Sequence, residues 1–433
     1  MLAFHLARFK IDATPPLGHP LCGGWIQPAQ AIDDPLWLTG IVIQAEGPPV
    51  VLAAVDWTGI QNRSHQIWRE ALAEAARTSP DRVAVHAVHQ HNAPFIDHDA
   101  NRMLREAGVR PLIFDEAWHD ALLDRARREV RAAVDAAVPV THIGSGVAEV
   151  RRVASNRRVM GPDGKVAHIR YSACRDAAVR DAPEGTIDPT LRSVSFYGPD
   201  DRPLARLNYY TTHPMSYYGD GRVTADFVGI ARDRRDRAEP DALHVYFTGC
   251  AGNITAGKYN DGSPVNRPVL ADRLHDGMLA ADARADAARH AFASLRWATR
   301  DLLLQPFEDL DGDALRDRLD DQDKGIEWRN GAAMRLSFRE RTEARRPILL
   351  SRCDLPGVSL LHLPGESFVE YQLEAQRLRG GAILATAAYG DDGPWYICLE
   401  RSFQEGGYEP TAAFAARGSE HPYREAIRAL LAD

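Results

Sequence analysis

Three histidines stand close together in HAVHQHNAPF (86–95): His86, His89 and His91. A neutral imidazole is the commonest metal ligand, and its charge changes near neutral pH. Side chains two apart in an extended strand share a face, so His89 and His91 would look into one site while His86 falls out of register. Pro94 then stops the ladder and leaves both rings at a strand-to-loop junction, where functional groups gather. The same context returns in LNYYTTHPMSYY, an apolar strand that stops at His213. In LHLPGESFVEY, Glu366 follows a strand and a Pro-Gly pair, where a helix would begin and its dipole would favour a carboxylate. TGCAGNITAGKYN (248–260) is a small-residue loop whose glycines allow a ligand to approach the backbone. It lacks the GxxxxGK[ST] spacing, which argues against a nucleotide site. Taken singly, the HxH pair is equally met by two partly exposed histidines, while His213 and Glu366 are better met by a satisfied core histidine and a helix-start acid. Together, two histidines and a carboxylate at strand ends form an open zinc site of the catalytic type.

The elements that must position these groups alternate along the chain. VVLAAVDW (50–57) and VAVHAVH (83–89) read as strands around a helix IWREALAEAA (67–76), and residues 115–138 have a helical period. Further strands are expected at 191–198, 203–213, 243–249, 358–364 and 382–388, with ESFVEYQLEAQRL helix-like. The pattern predicts an α/β fold, with α+β as the other option: one large domain over 1–433 with a central mixed sheet flanked by helices. Segment 306–347 is charged and helical and reads as an excursion from the core.

Bulk composition narrows the classes. The chain has 433 residues, 45% hydrophobic and 26% charged, as in an ordinary globular protein. A formal charge of -8 argues against a nucleic-acid or anionic-membrane surface. No window approaches the roughly 18 apolar residues of a membrane span, and the N-terminus does not read as a signal peptide, so the expected location is cytoplasmic. The cysteines, Cys22, Cys174, Cys250, Cys353 and Cys398, are odd in number and scattered, which is neither a disulfide framework nor a thiolate zinc site.

In this order, HQHNAP, NYYTTHPMS, GCAGNITAGKYN, LPGES and WYICLERSFQEGGYE resemble the successive motifs of the neutral/alkaline ceramidase family. IDATPPLGHPLCGGW, DDPLWLTGIVI and AVDWTG resemble its opening strands. The resemblance spans nearly the whole chain, corresponds to the family's catalytic domain and leaves nothing for its C-terminal immunoglobulin-like domain. It implies zinc held by His89, His213, Glu366 and Tyr396, with His91 catalytic and Tyr408 a second active-site tyrosine. ASNRRV matches an arginine motif, making Arg157 the candidate and Arg158 the fallback. The family's loop serine becomes Thr255, and HTHSGP becomes HQHNAP; both departures bear on substrate more than on metal. Asn92 and Asn253, in the same loops, are the candidate substrate-binding side chains, and His86 is expected to be structural.

The resemblance implies a zinc-dependent hydrolase of an N-acyl amide acting through a metal-activated water, with a small acyl-amide or lipid-like substrate. The same centre could instead cleave an ester or a sugar-derived bond, or hold metal without catalysis. Asp97, His98, Asp99 and Lys258 lie close in sequence to the candidate residues. On that ground the loops predict a polar pocket and a soluble or modestly amphiphilic substrate.

Overall fold

The computed structural model describes residues 4–308 and 311–432. Among them, three larger sheets organise the chain. The first runs, edge to edge, Val83–Ala87, Val50–Val55, Trp37–Gln44, Phe4–Asp12 and Val138–Val140. The second runs Leu243–Thr248, Pro203–Tyr210, Thr190–Tyr197, His142–Glu149 and Arg289–Ala291. The third runs Arg296–Leu302, Ile348–Leu355, Val358–His362 and Ile383–Ala387. The expected α/β class with mixed pairing is what forms, and the mixing is distributed over several sheets. In each, one edge pair is parallel and the remaining pairs are antiparallel: Val51 opposes Val83, Ala205 opposes Leu243, and Val358 opposes Ile383.

Those parallel pairs explain where a site can form. Val50–Val55 and Val83–Ala87 are buried along their whole length, as continuous apolar runs in parallel strands should be. Their C-terminal ends meet those of the other two sheets. Ala87 N donates to Tyr389 O (2.9 Å), Ala388 N to Thr248 O (2.9 Å), and Thr248 Oγ1 to Val88 O (2.7 Å). Functional groups in α/β sheets gather beyond the carboxyl ends of parallel strands, and here three sheets deliver such ends to one place.

Helices cover the outer faces. Glu116–Asp135 starts at Asp115, whose carboxylate accepts from Ala117 N and Trp118 N, an N-cap that satisfies two otherwise unpaired amides. Its buried stripe of His119, Leu122, Leu123, Ala126, Val130 and Val134 follows the helical period and packs on strand Phe4–Asp12 and helix Asn62–Ala76. Among the described residues no helix is long and apolar enough to cross a membrane.

Segment 306–347 forms helices Gly312–Asp320 and Ile326–Glu343, and the second is tied into the core. Arg341 pairs with buried Asp391, which also accepts from Asn62 N (2.9 Å) and Gly393 N (3.1 Å). Ser337 Oγ accepts from Asn62 Nδ2 (2.9 Å) and donates to Asp97 Oδ1 (2.9 Å). The charged helix therefore braces the loop 389–395 instead of standing apart.

A second buried pair braces the other side. Asp56 takes both arms of Arg232 at 2.7 and 2.8 Å, with side-chain exposures of 0% and 2%, and also accepts from Gln90 Nε2 (3.0 Å). Removing Asp56 leaves the buried guanidinium with only the partly exposed Asp233 at 3.3 Å. Asp56→Ala is therefore expected to lose about 3–5 kcal/mol in urea denaturation, while a double apolar replacement with Arg232→Met loses less. A single-variant loss below about 1 kcal/mol would contradict this reading of the pair.

Candidate active site

The site assembles from strand ends. Strand Val83–Ala87 stops two residues before His89, and His89 has φ +79°. The two rings thus converge through a turn and not, as the spacing suggested, through the pleat of a strand. They stand 4.9 Å apart at 83°. Positive φ in a residue with a Cβ is uncommon and clusters at functional positions; Tyr389 (+60°) and Trp395 (+53°) share it in the facing loop. Tyr389 stacks on His89 at 4.3 Å.

Each of two imidazoles is fixed by a backbone acceptor. His89 Nδ1 donates to Thr58 O (2.6 Å), and His213 Nδ1 donates to Ala251 O (2.7 Å) and Ile254 O (3.0 Å). With the proton on Nδ1, each neutral ring presents an Nε2 lone pair, the usual way in which an outer partner sets a ligand's tautomer. Both lone pairs face one carboxylate: Glu366 Oε2 is 3.1 Å from His213 Nε2 and 3.4 Å from His89 Nε2. Burial lowers His213 to about 4, so no proton sits between its Nε2 and Glu366 at neutral pH. His89 Nε2 and Glu366 Oε2 have no hydrogen-bond donor in the protein, and Arg157 Nη2 reaches only His213 Nε2 (3.1 Å). Three buried electron-pair donors meeting without enough hydrogens is an arrangement that a cation satisfies. The donor set of imidazole and carboxylate suits zinc.

Glu366 does not open a helix. It lies in the two-residue strand Glu366–Ser367, paired in parallel with Tyr396–Ile397 so that Glu366 opposes Tyr396; the helix begins at Val369. That short pairing brings a sequence-distant tyrosine beside the carboxylate. Tyr396 Oη accepts from Arg157 Nη1 at 3.1 Å. Burial raises the Tyr396 phenol well above its ordinary value, with Arg157 opposing the shift.

His91 lies on the same cavity with its Nε2 unpartnered and its Nδ1 4.0 Å from Cys22 Sγ. Burial, then His89 and His213, lower it well below the ordinary histidine value. One ring nitrogen from each of His89, His91 and His213 falls within 4.8 Å of the others, so geometry alone admits His91 as a ligand too. Tyr408 lines the cavity 5.7 Å from the Tyr396 ring, and burial, reinforced by Glu366, raises its phenol to about 12. Arg157 is not on the wall; it stacks against Tyr396 (5.6 Å) and Tyr408 (5.4 Å). The fallback Arg158 is spent on Glu409 (2.9 Å) and Glu405 (3.1 Å). His86 is outside the cavity and hydrogen-bonded to Ala388 O (2.7 Å).

Three expected site residues serve the frame. Thr255 Oγ1 donates to Arg170 O (3.0 Å) and accepts from Gly257 N (3.3 Å). Asn253 bridges Glu370 (3.0 Å) and Val369 N (2.9 Å). Asn92 holds the 219–222 turn through Gly219 N (3.0 Å), Asp220 (3.1 Å) and Arg222 O (2.8 Å). None of the three lines the cavity. The glycines of 248–260 also work inward: a Cβ on Gly252 would sit 2.2 Å from Glu366 O, so this glycine lets the loop press on the strand that carries the carboxylate.

The cavity encloses about 490 Å³, and its walls correct the polar pocket inferred from the loops. Trp25, Phe95, Trp395 and Phe414 give it an aromatic lining, and its polar groups are the site residues His89, His91, Glu366, Tyr396 and Tyr408 with Thr58, Tyr218 and Arg335. Asp97 caps a helix through Asp99 N and Ala100 N, His98 meets Ser64 Oγ (2.8 Å), and Lys258 Nζ is held by backbone carbonyls of 180–182. Sequence proximity misled because those side chains turn away from the cavity. Trp25 and Tyr218 also line a second cavity of about 660 Å³, whose walls include Leu112 and Glu327. Phe95 and Trp395 were discoverable as neighbours of HNAP and Tyr396, and Trp25 and Tyr218 close the stretches IDATPPLGHPLCGGW and LNYYTTHPMSYY without a role assigned to them; nothing in the sequence singled out Arg335.

The fold and site together describe a mixed α/β protein with a candidate metal centre where parallel strand ends converge. Two solved structures share this fold over the full chain. The neutral ceramidase from Pseudomonas aeruginosa matches with a TM-score of 0.72 and 14% identity, and a ceramidase complexed with C2 with 0.73 and 14%; each match covers 100% of this chain and 75% of the other. No protein-family model and no curated protein matches the sequence.

Proposed function

We propose that this chain is a zinc-dependent hydrolase of N-acyl amide bonds, acting as one catalytic domain. The carrying observation is the meeting of His89 Nε2, His213 Nε2 and Glu366 Oε2 beneath an aromatic cavity. The fold shared with ceramidase structures supports the same reading.

His89, His213, Glu366 and Tyr396 would hold the metal, and zinc bound there supplies Lewis acidity and lowers the pKa of water toward about 7. Thr58, Ala251 and Ile254 fix the imidazoles through their carbonyls, so the ligands need little reorganisation. Arg157 donates to the Tyr396 oxygen and offsets the negative charge that gathers there. His91 Nε2 takes the proton of the attacking water and passes it to the leaving nitrogen, without which an amine leaves poorly. Tyr408, kept protonated by burial, donates its O–H to the oxyanion that develops on the substrate carbonyl. The aromatic walls receive the acyl arm.

A panel of matched N-acyl amide, ester and glycoside substrates tests this reading. Amide hydrolysis is expected to vanish on chelation and return with stoichiometric Zn²⁺. Undiminished turnover in protein shown by elemental analysis to be metal-free would contradict it, as would cleavage of the ester alone.

A further inference from the structure

One residue on the cavity wall is unused by the chemistry above. Arg335 comes from helix Ile326–Glu343 and lines the aromatic cavity beside Tyr408 and Phe414. Several buried arginines carry carboxylates, as Arg232 has Asp56, Arg158 has Glu405 and Glu409, and Arg341 has Asp391, whereas Arg170 has none and spreads its N–H groups over five backbone carbonyls. Among the described residues Arg335 has no carboxylate either. Its hydrogen bonds go to the backbone oxygens of Ala413 (2.9 Å) and Thr411 (3.3 Å), and its plane lies 4.4 Å over Phe414. Burial lowers its pKa to about 10, Arg318 adds like-charge repulsion, and only the Tyr408 phenol opposes them. A guanidinium offers five N–H donors in a fixed fork, so the two backbone bonds aim the group and leave donors over.

Resting on the amidase reading, we infer that the substrate is an anionic amide, an N-acyl amino acid whose acyl chain lies on the aromatic wall and whose carboxylate pairs with Arg335. A neutral amino alcohol in the same place would leave the half-buried cation uncompensated, which is costly, whereas a carboxylate forms a charge-assisted pair with it. The cleaved bond is unchanged: water adds across the amide and yields a fatty carboxylate and a free amino acid.

The test uses the zinc-loaded chain with N-lauroylglycine and N-lauroylethanolamine, which share the acyl chain and differ by carboxylate against alcohol. The expected kcat/KM ratio favours the glycine conjugate by roughly 10- to 100-fold, the worth of one charged hydrogen-bonded contact. Arg335→Gln is expected to bring the ratio close to one and Arg335→Lys to keep part of it, with thermal melts reporting folding. Equal or better turnover of the ethanolamide by the unmodified chain overturns the inference whatever the variants do, as does an Arg335→Gln protein that keeps the preference. Binding is measured in parallel by calorimetry with the uncleavable ketomethylene isosteres of the same pair. If neither amide is hydrolysed, the amidase reading fails on its own, and the isosteres decide the anion site: tighter binding of the carboxylate form, lost in Arg335→Gln, upholds it, and equal binding overturns it.

Discussion

His213→Ala is expected to leave the protein without bound metal and without hydrolytic activity. His213 is the most enclosed of the proposed ligands, 1% exposed, and its ring is held by two backbone carbonyls. Its Nε2 is also the closest imidazole nitrogen to Glu366 Oε2. Removing the ring strips one of four ligands and leaves Glu366 with His89 alone, while Ala251 O and Ile254 O lose a buried donor. The second consequence costs about 1–3 kcal/mol of stability, so the variant is expected to fold. Elemental analysis after dialysis reads the first. Stoichiometric zinc retained in folded His213→Ala protein would remove this histidine from the centre.

The second large effect separates neighbours. His91→Ala is expected to keep zinc and to lose about 10²- to 10⁴-fold in kcat, the usual span for a general acid–base group. The expectation is not trivial, because His91 stands within 4.8 Å of the other two ring nitrogens and its Nε2 lacks a partner. What distinguishes it is its support. His89 and His213 are locked by carbonyl acceptors, whereas His91 has only the Cys22 sulfur at 4.0 Å, which suits a ring that gives and takes a proton. Zinc content and single-turnover rates on the same preparation decide the matter. Loss of metal with His91 and its retention in His89→Ala would reverse the two assignments.

The strands were legible because their apolar runs are long and bounded, as in VVLAAV and LHVYFT. The short elements were not. Glu366–Ser367 and Tyr396–Ile397 are two residues each, too short for any periodicity, yet their pairing sets the carboxylate beside the tyrosine. The convergence of His89 and His91 was expected on the wrong geometry, since a left-handed residue cannot be read from HxH spacing. Polar loop residues such as Lys258 pointed to a polar pocket because sequence gives neighbourhood without direction; the structure turns Lys258 to backbone carbonyls and Trp25 to the cavity. Arg335 was hidden for a related reason: a basic residue in a charged helix reads as solvated surface until its neighbours are known.

The central claim is that a single zinc is held by His89, His213, Glu366 and Tyr396. X-ray diffraction from crystals of the purified chain, collected on both sides of the zinc absorption edge, tests it most directly. The expected result is one anomalous peak per chain, with the Nε2 atoms of His89 and His213 at about 2.0–2.1 Å and oxygens of Glu366 and Tyr396 completing a tetrahedron. A peak bound by His91 in place of Tyr396, or catalytically active crystals with no peak among these residues, would contradict it.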